Sequence, residues 1–393
     1  MPACLGMADM AQGRRVVIVA GEASGDQHAA RLIRELAALE PDLTVSGIGG
    51  PALERAGALL LYRAEDLALV GFSEVLGKLK VIWRALKGLK QHLKDTRPDL
   101  VILVDFPDFN FRVARAAKAL GLKVLYYISP QVWAWRPRRA QTMAKLVDHL
   151  AVVFPFEKDF YAQAAPELPV TFVGHPVLDE EAEFLARAND PLPVPAGAEL
   201  IGLLPGSRLS EISRLMPLLL QAGALIRQKR PRSHFVLPVA PGLDRALLDP
   251  YLEAHPLAGL TVLPGRAAQV MAQSRLLLIC SGTATLQAAL AEAPMVVVYK
   301  TGALNYALAR RLITVPHVAM PNLVAGREVI PELLQQDATP QALAARALDI
   351  LGNQAVRQEM IEGLKTVRQR LGGPGGGRRA ARLARQTMLD DKS

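Results

Sequence analysis

The first half of the chain carries two short acidic segments, each directly after an apolar run. Glu22 lies in GEASGD (residues 21–26), and Asp105 and Asp108 lie in DFPDFN (residues 105–110). A carboxylate at the end of a strand can act as a general base toward a sugar hydroxyl. Helix capping explains the first segment equally well, and for the second the spacing alone favours a turn built by Asp, Pro and Asn.

Two segments of the second half place small residues before a helical pattern. Backbone N–H groups at a helix start bind phosphate, and a guanidinium adds charge-assisted hydrogen bonds. Each segment alone is a weak signal because glycine and serine are common in loops, but two in one domain favour a diphosphate site. The candidates are Gly206, Ser207 and Arg208 in LLPGSR, and Ser281, Gly282 and Thr283 in SGTATLQ.

Three further segments are aromatic or polar. SPQVWAW (residues 129–135) places two tryptophans in a loop, where they either stack on a sugar ring or brace the loop, and the arginines of residues 136–139 could contact a phosphate. PNLVAGRE (residues 321–328) is a polar cluster, or an ordinary loop and helix start. His175 is interpreted as structural.

The elements that must position these segments are alternating strands and helices. Continuous apolar runs are typical of parallel strands covered by helices on both faces. The predicted strands are Val16–Ala20, Leu100–Val104, Val124–Tyr127, Leu150–Val153, Val170–Val173, Ile201–Leu204, Phe235–Pro238, Leu260–Leu263, Leu276–Ile279 and Met295–Tyr299.

A proline-rich stretch at residues 190–197 separates the two sets of strands. We therefore predict an α/β chain of two Rossmann-like domains that face each other across a cleft, with ligands beyond the carboxyl ends of the strands. The predicted boundaries are 1–180, 181–350 and 351–393. The last range is a helical tail that packs back on a domain, or on a partner chain in a homodimer.

Composition narrows the class of protein. Of 393 residues, 51% are hydrophobic and 21% are charged, which suits two folded cores. The net charge of +9 suits a polyanionic partner, but the 5% of aromatic residues does not fit nucleic-acid modules, so no nucleic acid is expected. Cys280 lies in an apolar run and is interpreted as a small buried hydrophobe.

Several signals are missing from the sequence. The N-terminus has no apolar segment of signal-peptide length, and no stretch of ~20 apolar residues suits a bilayer span. The spacings of metal ligands, a Walker A loop and a catalytic triad are also absent. We expect neither secretion nor a spanning segment, and neither a metal nor a cofactor.

Taken together, ten ordered segments resemble the lipid-A-disaccharide synthase family of bacterial glycosyltransferases. Besides those above, they include VGFSEVLG (70–77), FPFEKDFY (154–161), FVGHPV (172–177) and PMVVVYK (294–300). The resemblance covers roughly residues 15 to 345. It implies a GT-B fold and a metal-independent hexosyl transfer in lipid A biosynthesis.

The resemblance also implies the substrates. The donor would be UDP-2,3-diacylglucosamine, bound by the C-terminal domain. The acceptor would be 2,3-diacylglucosamine 1-phosphate, which the N-terminal domain meets at the membrane. The sugars would be joined β(1→6) with inversion, and UDP would be released.

Residue by residue, the resemblance assigns catalytic functions to Asp105, Glu22 and Arg208. Where this chain has Gln287 the family has a glutamate, so a charge-assisted hydrogen bond to the donor ribose is lost. The further donor contacts that it implies are Gln287, Asn322, Arg327 and Glu328, in addition to the diphosphate candidates above.

Residues 67–94 are predicted to dock on the inner face of the cytoplasmic membrane, which makes the protein cytoplasmic and peripheral. Apolar residues at helical spacing form one face and cations another, as in an interfacial helix. A core helix explains the helical pattern better by itself, but acylated substrates favour the membrane. The apolar face is predicted to include Trp83, Leu86 and Leu89, and the basic face Lys80 and Arg84. Leu67, Val70 and Phe72 belong to a preceding apolar stretch that is expected to stay exposed. The candidates for the membrane contact are Val70, Phe72, Lys80, Trp83 and Arg84.

Two alternative functions are kept. A UDP-sugar 2-epimerase shares the two-domain architecture but needs no acylated acceptor. A non-catalytic basic protein would bind nucleic acid or anionic lipid, and the ordered donor-site segments argue against it.

Overall fold

The structure, a computed structural model, describes residues 13–68, 75–302 and 315–390. These residues form two compact units. The first unit holds the described residues up to Pro176 and those from Gly375 onward, and the second holds Val177–Pro374.

The first unit is a parallel sheet with helices on both faces. Its strands are β1 (Arg15–Ala20), β2 (Thr44–Gly49), β3 (Leu59–Arg63), β4 (Leu100–Val104), β5 (Val124–Tyr127), β6 (His149–Val152) and β7 (Val170–Phe172). Its first eight helices are α1 (Ala23–Leu39), α2 (Pro51–Arg55), α3 (Ala64–Ala68), α4 (Val75–Thr96), α5 (Pro107–Ala119), α6 (Val132–Trp135), α7 (Arg139–Leu146) and α8 (Pro155–Ala164). The strand order is β3-β2-β1-β4-β5-β6-β7, and the pairs are parallel.

The second unit has the same plan. Its strands are β8 (Glu199–Leu204), β9 (Ser233–Val239), β10 (Leu260–Pro264), β11 (Leu276–Cys280), β12 (Met295–Tyr299) and β13 (Glu332–Leu334). Its helices are α9 (Glu181–Ala188), α10 (Leu209–Lys229), α11 (Asp249–Ala254), α12 (Ala267–Gln273), α13 (Ala284–Leu290), α14 (Met320–Ala325), α15 (Pro340–Gly352) and α16 (Gln354–Arg370). The strand order is β10-β9-β8-β11-β12-β13.

Continuous apolar strands form the centre of each sheet. Every residue of β4 and of β11 is buried, because helices cover both faces of these strands. All ten predicted strands are confirmed, with ends that differ by up to two residues. The sequence analysis missed β2, β3 and β13.

Within the described residues, one helix of the second unit is long and apolar enough to cross a membrane by length and composition alone. This helix is α10, and half of its most apolar window is buried within the protein. Ile212, Leu215, Met216 and Leu219 are at most 1% exposed. We therefore interpret α10 as a core helix of its unit.

The C-terminal segment is divided between the units. After α16 the chain continues into α17 (Gly376–Leu389), which belongs to the first unit and packs against α1. The Lys123 ammonium donates to the Met388 carbonyl at 2.7 Å, and Arg378 pairs with Glu35 at 3.5 Å. The end of the chain thus completes the first unit.

The described part of the predicted membrane segment lies in α3 and α4. Leu86, Leu89 and Leu93 lie in the hydrophobic core, so this part of the predicted apolar face packs inside the protein. Leu67 was expected to stay exposed, but it is 7% exposed and belongs to the same core. Both expectations are corrected by the packing of α3 and α4 on the sheet. Val70 and Phe72 lie outside the described residues.

The outer surface of α4 carries the other predicted membrane residues. The Trp83 side chain is 64% exposed, away from the core that receives Leu86 and Leu89. Lys80 and Arg84 are exposed on the same helix. Trp83 therefore lies among cations and does not belong to the apolar face.

Candidate active site

The four loops that carry the candidate chemistry lie at the two points where strand order reverses. In the first sheet β1 pairs with β4, so residues 21–26 and 105–110 follow adjacent strand ends. In the second sheet β8 pairs with β11, so residues 205–208 and 281–283 are neighbours in the same way. Ligands of doubly wound sheets bind at these crevices.

The backbone at the end of β4 has an uncommon conformation. Asp105 and Phe106 have φ angles of 46° and 49°, in the left-handed region that non-glycine residues seldom adopt. The Asp105 carbonyl accepts hydrogen bonds from the Tyr126 hydroxyl at 2.5 Å and the Asn110 amide at 2.7 Å. Since Tyr126 and Asn110 are fully buried, these two donors are fixed, and they hold the Asp105 backbone in place.

The adjacent β1 loop approaches Phe106 very closely. A Cβ atom at Gly21 would lie 2.3 Å from the Phe106 ring, well inside van der Waals contact. Position 21 must therefore be glycine for the two loops to meet. This contact explains the first residue of GEASGD by packing.

The Asp105 carboxyl group is half-buried and lies near that of Glu22, which is exposed. Burial raises the pKa of Asp105 to about 6, and the negative charge of Glu22 is the second cause of this rise. A carboxyl group with such a pKa is ionised at neutral pH and still basic enough to accept a proton. The structure thus brings these two predicted residues together.

Asp108 has a different environment. It lies in the first turn of α5, its side chain is 84% exposed, and it pairs with Arg139 at 3.3 Å. The two carboxylates of DFPDFN therefore have different surroundings, one at the strand end and one on the helix.

The last residue of GEASGD is structural. Asp26 is 4% exposed and accepts hydrogen bonds from the backbone N–H groups of Gly50, Ala52 and Leu53 at 2.7, 2.8 and 3.1 Å. It caps the start of α2 from outside that helix. The Asp26 carboxylate therefore connects α1 to α2.

The SPQVWAW loop is braced from within the protein. Trp133 is 5% exposed, and its indole N–H donates to Glu157 Oε1 at 3.1 Å. This burial favours bracing over sugar stacking for Trp133. Glu157 also accepts from the N–H groups of Val153 and Phe154, and burial raises its pKa to about 7. The sequence analysis missed Glu157, although a glutamate at the third position of a helix is a known capping signal.

His175 packs against the Phe154 ring, with ring centroids 5.0 Å apart, and is 8% exposed. This contact confirms the structural interpretation of that histidine.

In the first predicted phosphate loop, a side chain of the following helix accepts the backbone hydrogen bonds. Glu211 accepts hydrogen bonds from the N–H groups of Ser207 and Arg208 at 3.1 and 3.2 Å. These donors are therefore not free for a phosphate, which corrects their assignment as a backbone cradle. The Arg208 side chain is 73% exposed and contacts Glu211 at 3.1 Å. Gly206 has a φ of 107°, which allows the turn before α10.

The second phosphate loop is more open. Ser281 N–H donates to Val298, whereas the N–H groups of Gly282, Thr283 and Ala284 have no hydrogen-bond acceptor within the described parts of the chain. Thr285 is buried and its hydroxyl donates to the Gly282 carbonyl at 2.7 Å, which fixes the loop. The N–H groups of residues 282–284 are therefore available to a ligand.

The two phosphate loops are close to each other. Burial raises the pKa of Cys280 to about 12; the charge of Glu211 raises it as well, and that of Arg208 lowers it. Cys280 precedes the second loop directly, so Arg208 and Glu211 lie within electrostatic reach of it. The burial of Cys280 confirms its interpretation as a small hydrophobe.

The Asn322 side chain is hydrogen-bonded to other parts of the protein interior. It is fully buried, donates to the Ile330 carbonyl at 2.8 Å and to Glu332 at 2.6 Å, and accepts from the N–H groups of Val329 and Ile330 at 2.7 and 3.0 Å. Its hydrogen-bonding capacity is used inside the protein. This corrects its assignment as a donor contact.

The other implied donor residues have ordinary surroundings. Arg327 and Glu328 are exposed, and Gln287 is half-buried on α13. Across the described ranges, no three His, Cys, Asp or Glu side chains converge in a way that could hold a metal ion.

The chain is similar to solved structures over nearly all its length. A UDP-GlcNAc 2-epimerase from Neisseria meningitidis bound to UDP-GlcNAc gives a TM-score of 0.65 at 14% identity, covering 96% of this chain and 100% of that one. The glycosyltransferase of kitacinnamycin gives a TM-score of 0.61 at 18% identity, covering 96% of this chain and 99% of that one. Such low identity shows the fold alone. With the two parallel sheets, it defines a GT-B fold, as predicted.

Sequence comparison is more specific. The family described as Lipid-A-disaccharide synthetase matches residues 16–375. The lipid-A-disaccharide synthase of Anaeromyxobacter sp. (strain K) is 45% identical over 368 residues, 93% of this chain and 96% of that protein. The lipid-A-disaccharide synthase of Nitrosococcus oceani is 46% identical over 361 residues, which cover 91% of this chain and 92% of that protein. This chain belongs to the lipid-A-disaccharide synthase family and is a glycosyltransferase of lipid A biosynthesis, as the resemblance predicted.

Proposed function

We propose that the enzyme condenses UDP-2,3-diacylglucosamine with 2,3-diacylglucosamine 1-phosphate to the β(1→6) tetraacyl disaccharide 1-phosphate and UDP. The observation that carries this proposal is the half-buried Asp105 carboxylate at the β1/β4 crevice, whose pKa is raised to about 6. A base of this kind suits the deprotonation of a sugar hydroxyl.

In the proposed step, Asp105 accepts the proton of the acceptor 6-hydroxyl. The oxygen attacks the anomeric carbon of the donor on the face opposite UDP, so the configuration inverts. The bond from the anomeric carbon to the diphosphate oxygen breaks, and UDP leaves with that electron pair. Glu22 supports the step because its charge keeps Asp105 basic.

The departing diphosphate needs positive partners. Arg208 has an exposed guanidinium, and the loop at residues 282–284 has free N–H groups within the described chain. Such preorganised donors stabilise developing negative charge in a transition state. We assign the diphosphate of UDP to these two groups, with Gln287, Arg327 and Glu328 as further contacts to the donor.

Mass spectrometry of the product tests this function. Purified protein with both substrates should yield a tetraacyl disaccharide phosphate and stoichiometric UDP. Conversion of the donor without acceptor, to a sugar epimerised at C2, would instead support the 2-epimerase alternative. UDP binding without any turnover would favour a non-catalytic binding protein.

We also propose that the enzyme is cytoplasmic and docks on the inner face of the membrane through the exposed surface of α4. Trp83 is exposed among Lys80, Arg84 and Lys87, and the Lys87 ammonium lies 5.6 Å from the Trp83 ring centroid. Tryptophan and basic residues are typical of interfacial helices, and each cation near an anionic surface contributes ~1 kcal/mol.

Sedimentation with anionic vesicles tests the docking. Replacing Lys80, Arg84 and Lys87 by Gln should lower the bound fraction at low salt without a change in UDP affinity. A second variant, Val70→Ser with Phe72→Ser, tests the preceding segment. If both variants bind vesicles like the parent protein, the membrane contact lies elsewhere.

A further inference from the structure

A cavity of about 240 Å³ lies between α5 and α7 of the first unit. Three of its six lining residues are arginines. The lining residues are Asp108, Phe111, Arg112, Arg115, Arg139 and Thr142. The mechanism above uses none of them.

The charges in this cavity are only partly paired. Arg139 contacts Asp108 at 3.3 Å, and its guanidinium lies 5.6 Å from the Phe111 ring centroid. Within the described residues, Arg112 and Arg115 form no ion pair. Three guanidiniums and one carboxylate leave two positive charges, which matches a phosphate monoester, since that group carries roughly −1.5 to −2 at pH 7.

The geometry of the donors also suits phosphate. Arg139 donates from both terminal nitrogens to Asp108 Oδ1, at 3.3 and 3.4 Å, and its guanidinium lies over the Phe111 ring, so its position is set within the protein. Arg112 and Arg115 lie on the following turns of α5. Guanidinium groups bind phosphate oxygens through paired hydrogen bonds.

The cavity is close to the proposed base along one rigid element. Asp105 directly follows β4, and α5 begins two residues later at Pro107. Arg112 and Arg115 follow Pro107, the first residue of α5, by five and eight residues, about 8 and 12 Å along the helix axis. One helix thus connects Asp105 with Arg112 and Arg115 and fixes their separation.

We propose that the cavity lined by Arg112, Arg115 and Arg139 binds the terminal phosphate monoester of the acceptor, and so directs the 6-hydroxyl toward Asp105. This assignment rests on the proposed function. A phosphodiester of a lipid headgroup shares the phosphate chemistry but carries a single negative charge, so the monoester fits the two net positive charges better.

A cycle of two changes, one in the protein and one in the substrate, tests the assignment. The protein change is Arg112→Gln with Arg115→Gln, and the substrate change is removal of the acceptor 1-phosphate. In the parent enzyme, removal should lower kcat/KM by about 10- to 100-fold, the range for hydrogen bonds to charged groups. In the double variant, kcat/KM with the phosphorylated acceptor should already be lowered by that factor. Removal of the acceptor 1-phosphate should then have little further effect.

The matched control is Arg55→Gln, an exposed arginine of the same unit outside this cavity. It should discriminate between the two acceptors as the parent does. If the Arg112 and Arg115 double variant still prefers the phosphorylated acceptor by the parental factor, the assignment is overturned.

Two binding measurements complete the test. Calorimetry with glucosamine 1-phosphate needs no turnover, so it tests the site even if the proposed reaction fails; parent binding that the double variant loses supports the site, and equal binding overturns it. Sedimentation with phosphatidylglycerol vesicles tests whether the cavity binds the phosphodiester of a lipid headgroup instead. Loss of vesicle binding with unchanged acceptor discrimination would assign the cavity to the membrane and overturn the proposal.

Discussion

The side-chain amide of Asn110 donates a 2.7 Å hydrogen bond to the backbone carbonyl of Asp105, five residues earlier. The Tyr126 hydroxyl donates to the same carbonyl from β5. Left-handed backbone at a non-glycine residue costs on the order of 1–3 kcal/mol. Strand, helix and loop thus combine to hold Asp105 in a conformation that the local sequence disfavours.

Asp105→Asn should lower kcat by about 100-fold or more while the protein stays folded, because an amide cannot accept the hydroxyl proton. Steady-state kinetics and circular dichroism measure the two effects. Asp108→Asn is the comparison variant and should lose less, since that carboxylate is exposed and paired with Arg139. A larger loss of kcat in Asp108→Asn than in Asp105→Asn would reverse the assignment of the base.

The rate should depend on pH through Asp105. Its pKa of about 6 means that protonation removes the base as pH falls, so kcat/KM should drop about tenfold per pH unit below that value. Glu22→Gln should move the midpoint to lower pH, because the Glu22 charge helps to raise the pKa of Asp105. The midpoint should stay above that of an ordinary aspartate, since burial is the larger cause. An unchanged midpoint in Glu22→Gln would show that the two groups do not interact.

Tyr126→Phe should lower kcat by about 10- to 100-fold with little change in donor KM, because a small displacement of the base is costly in rate. Tyr161→Phe is the matched control: it also removes a buried hydroxyl, whose partners are Ser129 Oγ at 2.7 Å and Met143 Sδ at 3.1 Å, but leaves Asp105 untouched. Equal losses in stability and unequal losses in kcat would identify Tyr126 as a positioning residue. Equal kcat in both variants would contradict it.

Arg208→Ala should weaken UDP binding by ~1.5–3 kcal/mol, the range for a charged hydrogen bond. Its guanidinium is exposed, so the fold should tolerate the change. Calorimetry with UDP measures the effect, and Arg245→Ala provides an exposed arginine of the same unit as a control. Unchanged UDP affinity would exclude Arg208 from the diphosphate site.

Asn322→Ala should destabilise the second unit by ~3 kcal/mol or more, because buried backbone groups of Val329 and Ile330 and the Glu332 carboxylate would lose their partner. Thermal unfolding measures the loss of stability. At a temperature where the variant is folded, UDP affinity should match that of the parent. A stable Asn322→Ala protein with weakened UDP binding would restore Asn322 as a donor contact.

The strands that the sequence analysis missed differ in composition, burial and length. β2 contains two glycines, β3 is half-buried along most of its length, and β13 has three residues. β3 and β13 are edge strands: β3 has an apolar run at Leu59–Tyr62, and β13 has only two apolar residues. The apolar runs therefore predicted the central strands and the edge strands β7 and β10, and missed the edge strands β3 and β13 and the internal strand β2.

The sequence by itself determined the fold class, the family, the central strands and the positions of the loops that follow them. It did so because strands buried on both faces need apolar residues, and because turns at their ends need small and polar ones. It could not separate polar residues that face a ligand from those that face the protein. Asp105 and Asn322 are both polar residues in the matching segments, yet one is half-buried at a crevice and the other is enclosed by four hydrogen bonds. Only the tertiary structure decided between them, because the partners of a buried polar group come from elsewhere in the chain and local sequence does not specify them.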